Sequence, residues 1–360
     1  MKITLVGGGI GGLTCALALH AAGFEDVDVY ESVSEVKELG VGVNLLPHAV
    51  RELDELGLLQ DLYDVAIPTE ELAYLTGRGQ LVWKEPRGIS AGYRWPQFSI
   101  HRGKLLGVLY RATLARIGAA RIHAGHHFQA FGEALNNRMW AEFRTPDSAE
   151  TPHRVESDLI IACDGVHSTA RSLLYPDEGP PLWNGTAMWR GVTRAEPFWT
   201  GKSMIVAGRF VHRIVVYPIS ERASEDGKSL INWVAEKRVD SNQPMPKQDW
   251  QHQVDVDEVL ANFENFEFPF LSMSEMIRNA EAIFKYPMVD RDPLATWTHG
   301  RLTLLGDAAH PMYPVGSNGA SPCAAGVKRG GKRSVRLFAS RLGIEYASPC
   351  GRAAPSRYKR

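Results

Sequence analysis

Three short apolar runs in this chain each end in a turn that sets glycine beside a group able to hold a phosphate or a hydroxyl. Ile3-Thr4-Leu5-Val6 runs into Gly7-x-Gly9-x-Gly11-Gly12, Leu159-Ile160-Ile161-Ala162-Cys163 into Asp164-Gly165, and Leu302-Thr303-Leu304-Leu305 into Gly306-Asp307-Ala308-Ala309-His310-Pro311. In the first, the glycines permit a tight turn. The helix that follows offers free N–H groups and the positive end of its dipole to a pyrophosphate. Glu31 lies 19 residues beyond Gly12, at the end of the alternating run Val27-Asp28-Val29-Tyr30. A carboxylate there accepts a hydrogen bond from an adenosine ribose. Strand, glycine turn, helix and acid in that order read as dinucleotide binding, without separating FAD from NAD.

The elements that position these groups alternate between helix and strand. A helical segment runs from Leu13 to Ala22, with Gly23 at its C-terminal end. Residues 48–63 carry apolar positions at helical spacing, and a further helix is expected from Gly103 to Arg116 with Leu105, Leu106, Leu109 and Leu114 inward. Between these helices Leu72–Leu75 and Leu81–Trp83 read as paired strands. A second β-rich stretch follows Trp183: Met204–Val206, Arg213–Tyr217 and Leu230–Val234. Strand-rich inserts in an α/β chain suggest a substrate domain built on a sheet. The dinucleotide domain is then discontinuous, over residues 1–70, 101–180 and 286–321, with 71–100 and 181–285 forming the insert.

In this order and at these distances the three motifs resemble the class A FAD-dependent aromatic hydroxylases, the para-hydroxybenzoate hydroxylase type. The likeness runs from residue 1 to about 321 and is strongest to the branch of phenazine hydroxylases, with salicylate-hydroxylase-like proteins more distant. It implies an α/β fold, a Rossmann-like FAD-binding domain with an inserted β-sheet substrate domain. It also implies an NAD(P)H- and O2-using monooxygenase that hydroxylates a small aromatic substrate through a flavin C4a-hydroperoxide, with the nicotinamide as a transient reductant. By the same resemblance Asp164 and Gly165 support the pyrophosphate region and the route of the nicotinamide. Asp307 after Gly306 binds the ribityl chain, and Arg102 reaches ribityl or phosphate oxygens. Gly42 and Val43, in Gly40-Val41-Gly42-Val43-Asn44, lie beside the isoalloxazine ring. Pro314, Gly316 and Gly319 line its re face, where backbone N–H groups stabilise negative charge. Asn44 occupies the place of a basic histidine found in some pyridine-hydroxylating relatives. Tyr217 stands where relatives turn an aromatic residue to the substrate, to orient or deprotonate a phenol; a packed core tyrosine is the other reading. Trp189, Arg190 and Trp233 either line an aromatic pocket or fill a core, and His310 is read as a turn histidine.

Composition adds limits. Hydrophobic content of 44% and charged content of 22% are those of a soluble globular protein. No apolar run spans a bilayer, and Met1-Lys2 leads directly into a strand, which favours the cytoplasm. The four cysteines form no C-x-x-C pair, so neither a dithiol reductase nor a zinc site is expected. Residues 322–360 hold ten Lys and Arg and one acid, Glu345. They are formally +9 against −10 for the rest of a chain whose total is −1. Relatives continue after residue 321 into an amphipathic helix. The change is read as a frameshifted or artificially ended frame, with a genuine basic tail as the other reading. No nucleic-acid partner is expected, since no aromatics interleave the charges, and the assembly is a monomer or homodimer. Two alternatives stay open: a non-hydroxylating FAD oxidoreductase or epoxidase of the same fold, and an inactive truncated remnant.

Overall fold

The computed structural model describes residues 1–35, 40–146, 152–220, 227–239, 253–313 and 316. The readings made for Pro314, Gly319 and the basic segment 322–360 lie outside them.

A six-stranded sheet forms the base of the molecule. Its central strand, Ile3–Val6, pairs in parallel with Val27–Tyr30 on one side and Leu159–Ala162 on the other. Leu302–Leu304 lies beyond Leu159–Ala162 and Ile122–His123 beyond Val27–Tyr30, both parallel, while Thr298–His299 closes one edge antiparallel. The central strands are buried at every position, as a parallel sheet covered on both faces requires. On one face Leu5, Val29 and Ile161 meet Cys15, Ala16 and Leu19 of the helix Ile10–Ala21. On the other, Val6, Ile160 and Leu304 meet Phe128, Met139 and Phe143. Each such side chain contributes roughly 1.5–3 kcal/mol when fully buried. Cys15 belongs to this packing, and burial pushes its thiol pKa up to about 12. The facing layer is an antiparallel sheet of His127–Ala134, Arg138–Arg144 and His153–Ser157, which the sequence reading left unassigned.

The strand order sets where a ligand can bind. From the central strand the chain moves first to Val27–Tyr30, and only much later returns on the opposite side as Leu159–Ala162. The crevice at the carboxyl ends of these two strands is therefore a topological switch point, the binding position of open α/β sheets.

Two helical expectations change. The stretch 48–63 is not one helix but two, Pro47–Glu55 and Leu59–Tyr63. Gly57 adopts a φ of +73° between them, which an α-helix does not allow. The helix Arg102–Ile117 buries Leu105, Val108, Leu109 and Thr113, whereas Leu114 is solvent-exposed. Its buried stripe thus follows Gly103, Gly107 and Val108 rather than the leucines alone.

A seven-stranded sheet holds Leu182–Ala195, Ser229–Arg238, His212–Ser220 and Ser203–Arg209 in adjacent positions, with Glu71–Leu75 and Leu81–Pro86 at one edge and Ala280–Asp290 at the other. Glu71–Leu75 and Leu81–Pro86 pair antiparallel, as read from the sequence. One face packs on the helices Val256–Phe263 and Met273–Arg278, with Trp189, Trp233 and Phe263 inside. Both tryptophans therefore fill a core; their indole N–H groups donate to Glu258 and Thr193. The opposite face carries Val192, Met204, Tyr217 and Ile219 against Val41. There a small sheet of Gly42–Leu45, Gln97–His101 and Ala66–Thr69 lies against it.

His212 gives this packing a pH dependence. Its ring lies 4.7 Å from Phe263 and 5.1 Å from Phe266, and Nε2 is 2.8 Å from the Asn262 carbonyl. Burial lowers its pKa and the Lys237 charge adds to this, against the opposing carbonyl contact. Protonation is thus disfavoured in the fold, while the unfolded chain takes up its proton near about pH 6.5. Stability falls as pH drops through that value. The loss in Tm between about pH 7.5 and 5.5 is expected to be smaller in His212→Gln than in the parent; equal losses contradict the assignment.

Candidate functional site: a cradle at the sheet's carboxyl end

The glycine-rich turn leaves the central strand and enters the helix Ile10–Ala21. Gly7 has a φ of +104°, and a Cβ there would strike the Cys163 carbonyl. A Cβ on Gly12 would collide with the Gly7 carbonyl. These two glycines let the helix start lie directly on the strand ends. Gly9, the helix N-cap, is different: nothing stands within 4 Å of its Cβ position. The helix has no side-chain cap bond at its N-terminus and no acid in its first turn, so its leading amides face an open cradle. Glu31 bounds the cradle, with Oε2 accepting from the Gly8 amide at 2.6 Å and Oε1 from Val33 at 2.9 Å. Oε1 also accepts from Ser32 Oγ at 2.9 Å, so Oε2 is the oxygen with capacity left for a hydroxyl.

The other two turns join this one from the adjacent strands. Asp164 holds its own turn, since Oδ1 accepts from Ser168 Oγ at 2.6 Å and Oδ2 from the Ala170 amide at 3.1 Å. Burial raises its pKa, against these bonds. Ser168 in turn caps the helix Thr169–Leu174. Arg171 then ties this turn to the third. Its guanidinium, fully buried, donates Nη1 to the carbonyls of Ala308 at 3.2 Å and Ala309 at 3.0 Å, and Nη2 to the Asp292 carbonyl at 3.1 Å. Glu178 neutralises it through paired bonds, and also meets Arg291 at 2.8 Å. These contacts hold the Glu178 carboxyl below its ordinary range, the Arg171 bond foremost. Sequence reasoning assigned a role to neither Arg171 nor Glu178.

Asp307 follows Gly306, which has a φ of +63°. Its carboxylate touches solvent yet stands in a dense concavity, and that desolvation raises its pKa against the charges of His310 and Arg102. The charge of Arg102 acts on Asp307, 205 positions away in the sequence. Gly40 joins them, because a Cβ on it would sit 3.6 Å from the Arg102 Cβ, and the Arg102 amide donates to the Val41 carbonyl at 3.0 Å. Gly316 is exposed with a φ of +74°. His310 is a turn residue: its amide donates to Gly306 at 2.9 Å and its ring lies 5.0 Å from Trp297. A groove of about 440 Å³ opens near these two, lined by Arg291, Leu294, Trp297, His310 and Met312 among others. It includes none of Gly9, Gly42 and Asp307.

Gly42 and Val43 begin the small sheet. The Gly42 peptide is held from the larger sheet by Asn232, Arg190 and Tyr217. Tyr217 is buried, and its hydroxyl donates to the Gly42 carbonyl at 2.9 Å. Burial raises its pKa, only partly opposed by Arg190 and Asn44, so the phenol is neutral and serves as a donor. Asn44 accepts from Ser99 at 2.9 Å and Gln97 at 3.3 Å, so its side chain is no base. A buried asparagine in the apolar run Ile231-Asn232-Trp233 was the sequence signal for Asn232. No group of three or more metal-ligating side chains occurs among the described residues, and none of their helices is long and apolar enough to cross a membrane.

The arrangement fits FAD. The open cradle at Gly9 with its uncapped amides suits a pyrophosphate, Glu31 a ribose, and Asp307 with Arg102 a polyol chain with phosphate.

Comparison with known proteins agrees. A family described as an FAD binding domain matches residues 1–322. The phenazine 1,6-dicarboxylic acid hydroxylase of Lysobacter antibioticus is 41% identical over 321 residues, covering 89% of this chain and 78% of that protein. The 3-hydroxybenzoate 6-hydroxylase 1 of Aquipseudomonas alcaligenes is 28% identical over 339 residues, covering 89% and 77%. Klebsiella pneumoniae HpxO complexed with FAD and uric acid matches with a TM-score of 0.76 at 21% identity, over 95% of this chain and 82% of that one. The 2,6-dihydroxypyridine-3-hydroxylase from Arthrobacter nicotinovorans gives 0.72 at 20%, over 97% and 95%. The last two are likenesses of fold, and that fold is the para-hydroxybenzoate hydroxylase type expected from the motifs.

Two glycines separate cradle from scaffold. Gly9→Ala is expected to keep the parent's Tm and yet weaken FAD binding by about tenfold or more, because its methyl enters the cradle. Gly12→Ala is expected to lose on the order of 1–3 kcal/mol of stability through overpacking. Denaturant melts and FAD titrations of both check this. Unchanged FAD affinity in Gly9→Ala contradicts the cradle.

Proposed function

This chain belongs to the FAD binding domain family, and from that premise we propose that it hydroxylates a small aromatic carboxylate of the phenazine or benzoate class. The reaction consumes one O2 and one reduced nicotinamide, places one oxygen atom on the ring and releases the other as water. Bound FAD supplies the electron storage and the oxygen activation; the chain supplies placement and a dry site. Glu31, Gly9 and the start of the helix Ile10–Ala21 hold the adenosine and pyrophosphate end. Arg102 and Asp307 hold the ribityl end, with Asp164 and Gly165 shaping the turn between. Gly42 and Val43 meet the ring through their backbone, with the seven-stranded sheet behind them. Gly316, with Pro314 and Gly319, is assigned the ring's other side.

The observation that carries this reading is the adjacency of three strand-end turns at the switch point of the parallel sheet. The 41% identity to a phenazine dicarboxylic acid hydroxylase supports the substrate class. A ring carbon that bears the carboxylate would lose it as CO2 on hydroxylation; one without it would keep the acid. Within the chain, residues 1–70, 101–180 and 286–321 are assigned to the FAD-binding unit and 71–100 with 181–285 to the substrate unit. The segment 322–360 is assigned to neither.

The test is NAD(P)H oxidation by the FAD-loaded protein against phenazine, benzoate and salicylate acids under 18O2. One acid is expected to stimulate oxidation and to yield a product with a single labelled oxygen. Stimulated oxidation that gives only hydrogen peroxide with every acid contradicts hydroxylation and favours the non-hydroxylating oxidoreductase.

A further inference from the structure

The seam between the small sheet and the seven-stranded sheet holds a polar cluster for which the flavin reading has no use. The Gly42 amide donates to Asn232 Oδ1 at 2.6 Å. The Gly42 carbonyl accepts from Arg190 Nη2 at 2.6 Å and from the Tyr217 hydroxyl at 2.9 Å. The two successive peptide groups that meet at Gly42 are thus held by three side chains, one through its N–H and the next through its C=O. They come from three neighbouring strands, Leu182–Ala195, Ser229–Arg238 and His212–Ser220, and the register sets Asn232 between Val192 and Tyr217. In sequence they stand 148 to 190 residues from Gly42. The grip also requires the glycine, because a Cβ at Gly42 would sit 2.7 Å from the Asn232 side chain.

The cluster is costly as packing alone. Asn232 Nδ2 and Arg190 Nε are buried without a hydrogen-bond partner among the described residues. Unpartnered buried donors oppose folding. Apolar contacts already join the two sheets at this seam through Val41, Met204 and Ile219. What the polar groups add is a single allowed position for the two peptide groups that flank Gly42.

We propose that Arg190, Tyr217 and Asn232 are positioning residues that clamp the backbone on both sides of Gly42, so that the larger sheet fixes the backbone facing the flavin ring, and that the charge of Arg190 raises the flavin's reduction potential. The proposal rests on the reading above, in which residues 40–44 lie beside the ring. It gives Tyr217 the task of a donor to the backbone rather than that of a base toward substrate. Arg190 is half-buried with its Nε inside the seam, so solvent screens its charge only in part.

The test uses the full chain and four substitutions, each confirmed as folded by its melting curve: Tyr217→Phe, Arg190→Gln, Arg190→Lys and Asn232→Asp. Hydrogen exchange of the peptide spanning residues 40–46, without flavin, reads the clamp; FAD affinity and midpoint potential read its effect on the cofactor. Tyr217→Phe and Arg190→Gln are expected to speed exchange and weaken FAD binding by on the order of tenfold each. Arg190→Gln is expected to shift the potential negative, while Arg190→Lys restores the potential but not the exchange protection. Asn232→Asp keeps an acceptor for the Gly42 amide and is expected to retain the parent's exchange rate. Parent-like exchange and potential in folded, flavin-loaded Arg190→Gln and Tyr217→Phe overturn the clamp. A parent that takes up no flavin overturns the flavin reading and the potential effect with it, and the exchange data still decide the clamp separately.

Discussion

The buried guanidinium of Arg171 is the contact on which the site's geometry depends. It sits at the end of the second strand-turn motif and holds the carbonyls of Ala308 and Ala309 in the third. The Leu305 amide, donating to the Ala162 carbonyl at 2.8 Å, is a second tie between the two strand ends, and Asp307 belongs to the turn that follows Leu305. The charge is tolerable in the interior because Glu178 and three backbone carbonyls saturate it. Removing either partner of such a pair leaves an uncompensated charge, a loss on the order of 3–5 kcal/mol. The parallel sheet brings the three turns to one edge, and Arg171 fixes the distance between two of them.

A second constraint joins the two larger sheets. The helix start at Gly9 and the carboxylate of Glu31 belong to the parallel sheet, while the Gly42 peptide is held by the seven-stranded one. In the proposed placement the flavin spans both sheets, one meeting its adenosine end and the other its ring. The buried stripe of the helix Arg102–Ile117 lies between them. Its His101 cap ends the strand Gln97–His101, paired with Gly42 in the small sheet.

Much of this was legible in the sequence because it depends on local rules. Four-residue apolar runs ending in glycine announce buried parallel strands, and the spacing from Gly12 to Glu31 measures one βαβ unit. The apolar periodicity of 48–63 misled, because it does not register that Gly57 takes a left-handed turn. Leu114 misled for a related reason: helix Arg102–Ile117 buries a stripe that starts on glycines, which hydrophobic spacing ignores. The antiparallel layer His127–Arg144 was missed although Met139, Ala141 and Phe143 alternate, since its polar partners dilute the pattern. Arg190 and Asn232 could not have been paired with Gly42 from sequence. Their meeting depends on the register of three strands and on a sheet-to-sheet contact.

The most direct test of the whole account is a calorimetric titration of the purified full chain with FAD. The account requires a single saturable site, accompanied by the flavin's visible bands shifting as the ring leaves water. Heats no larger than dilution, with a spectrum unchanged from free FAD, would contradict it.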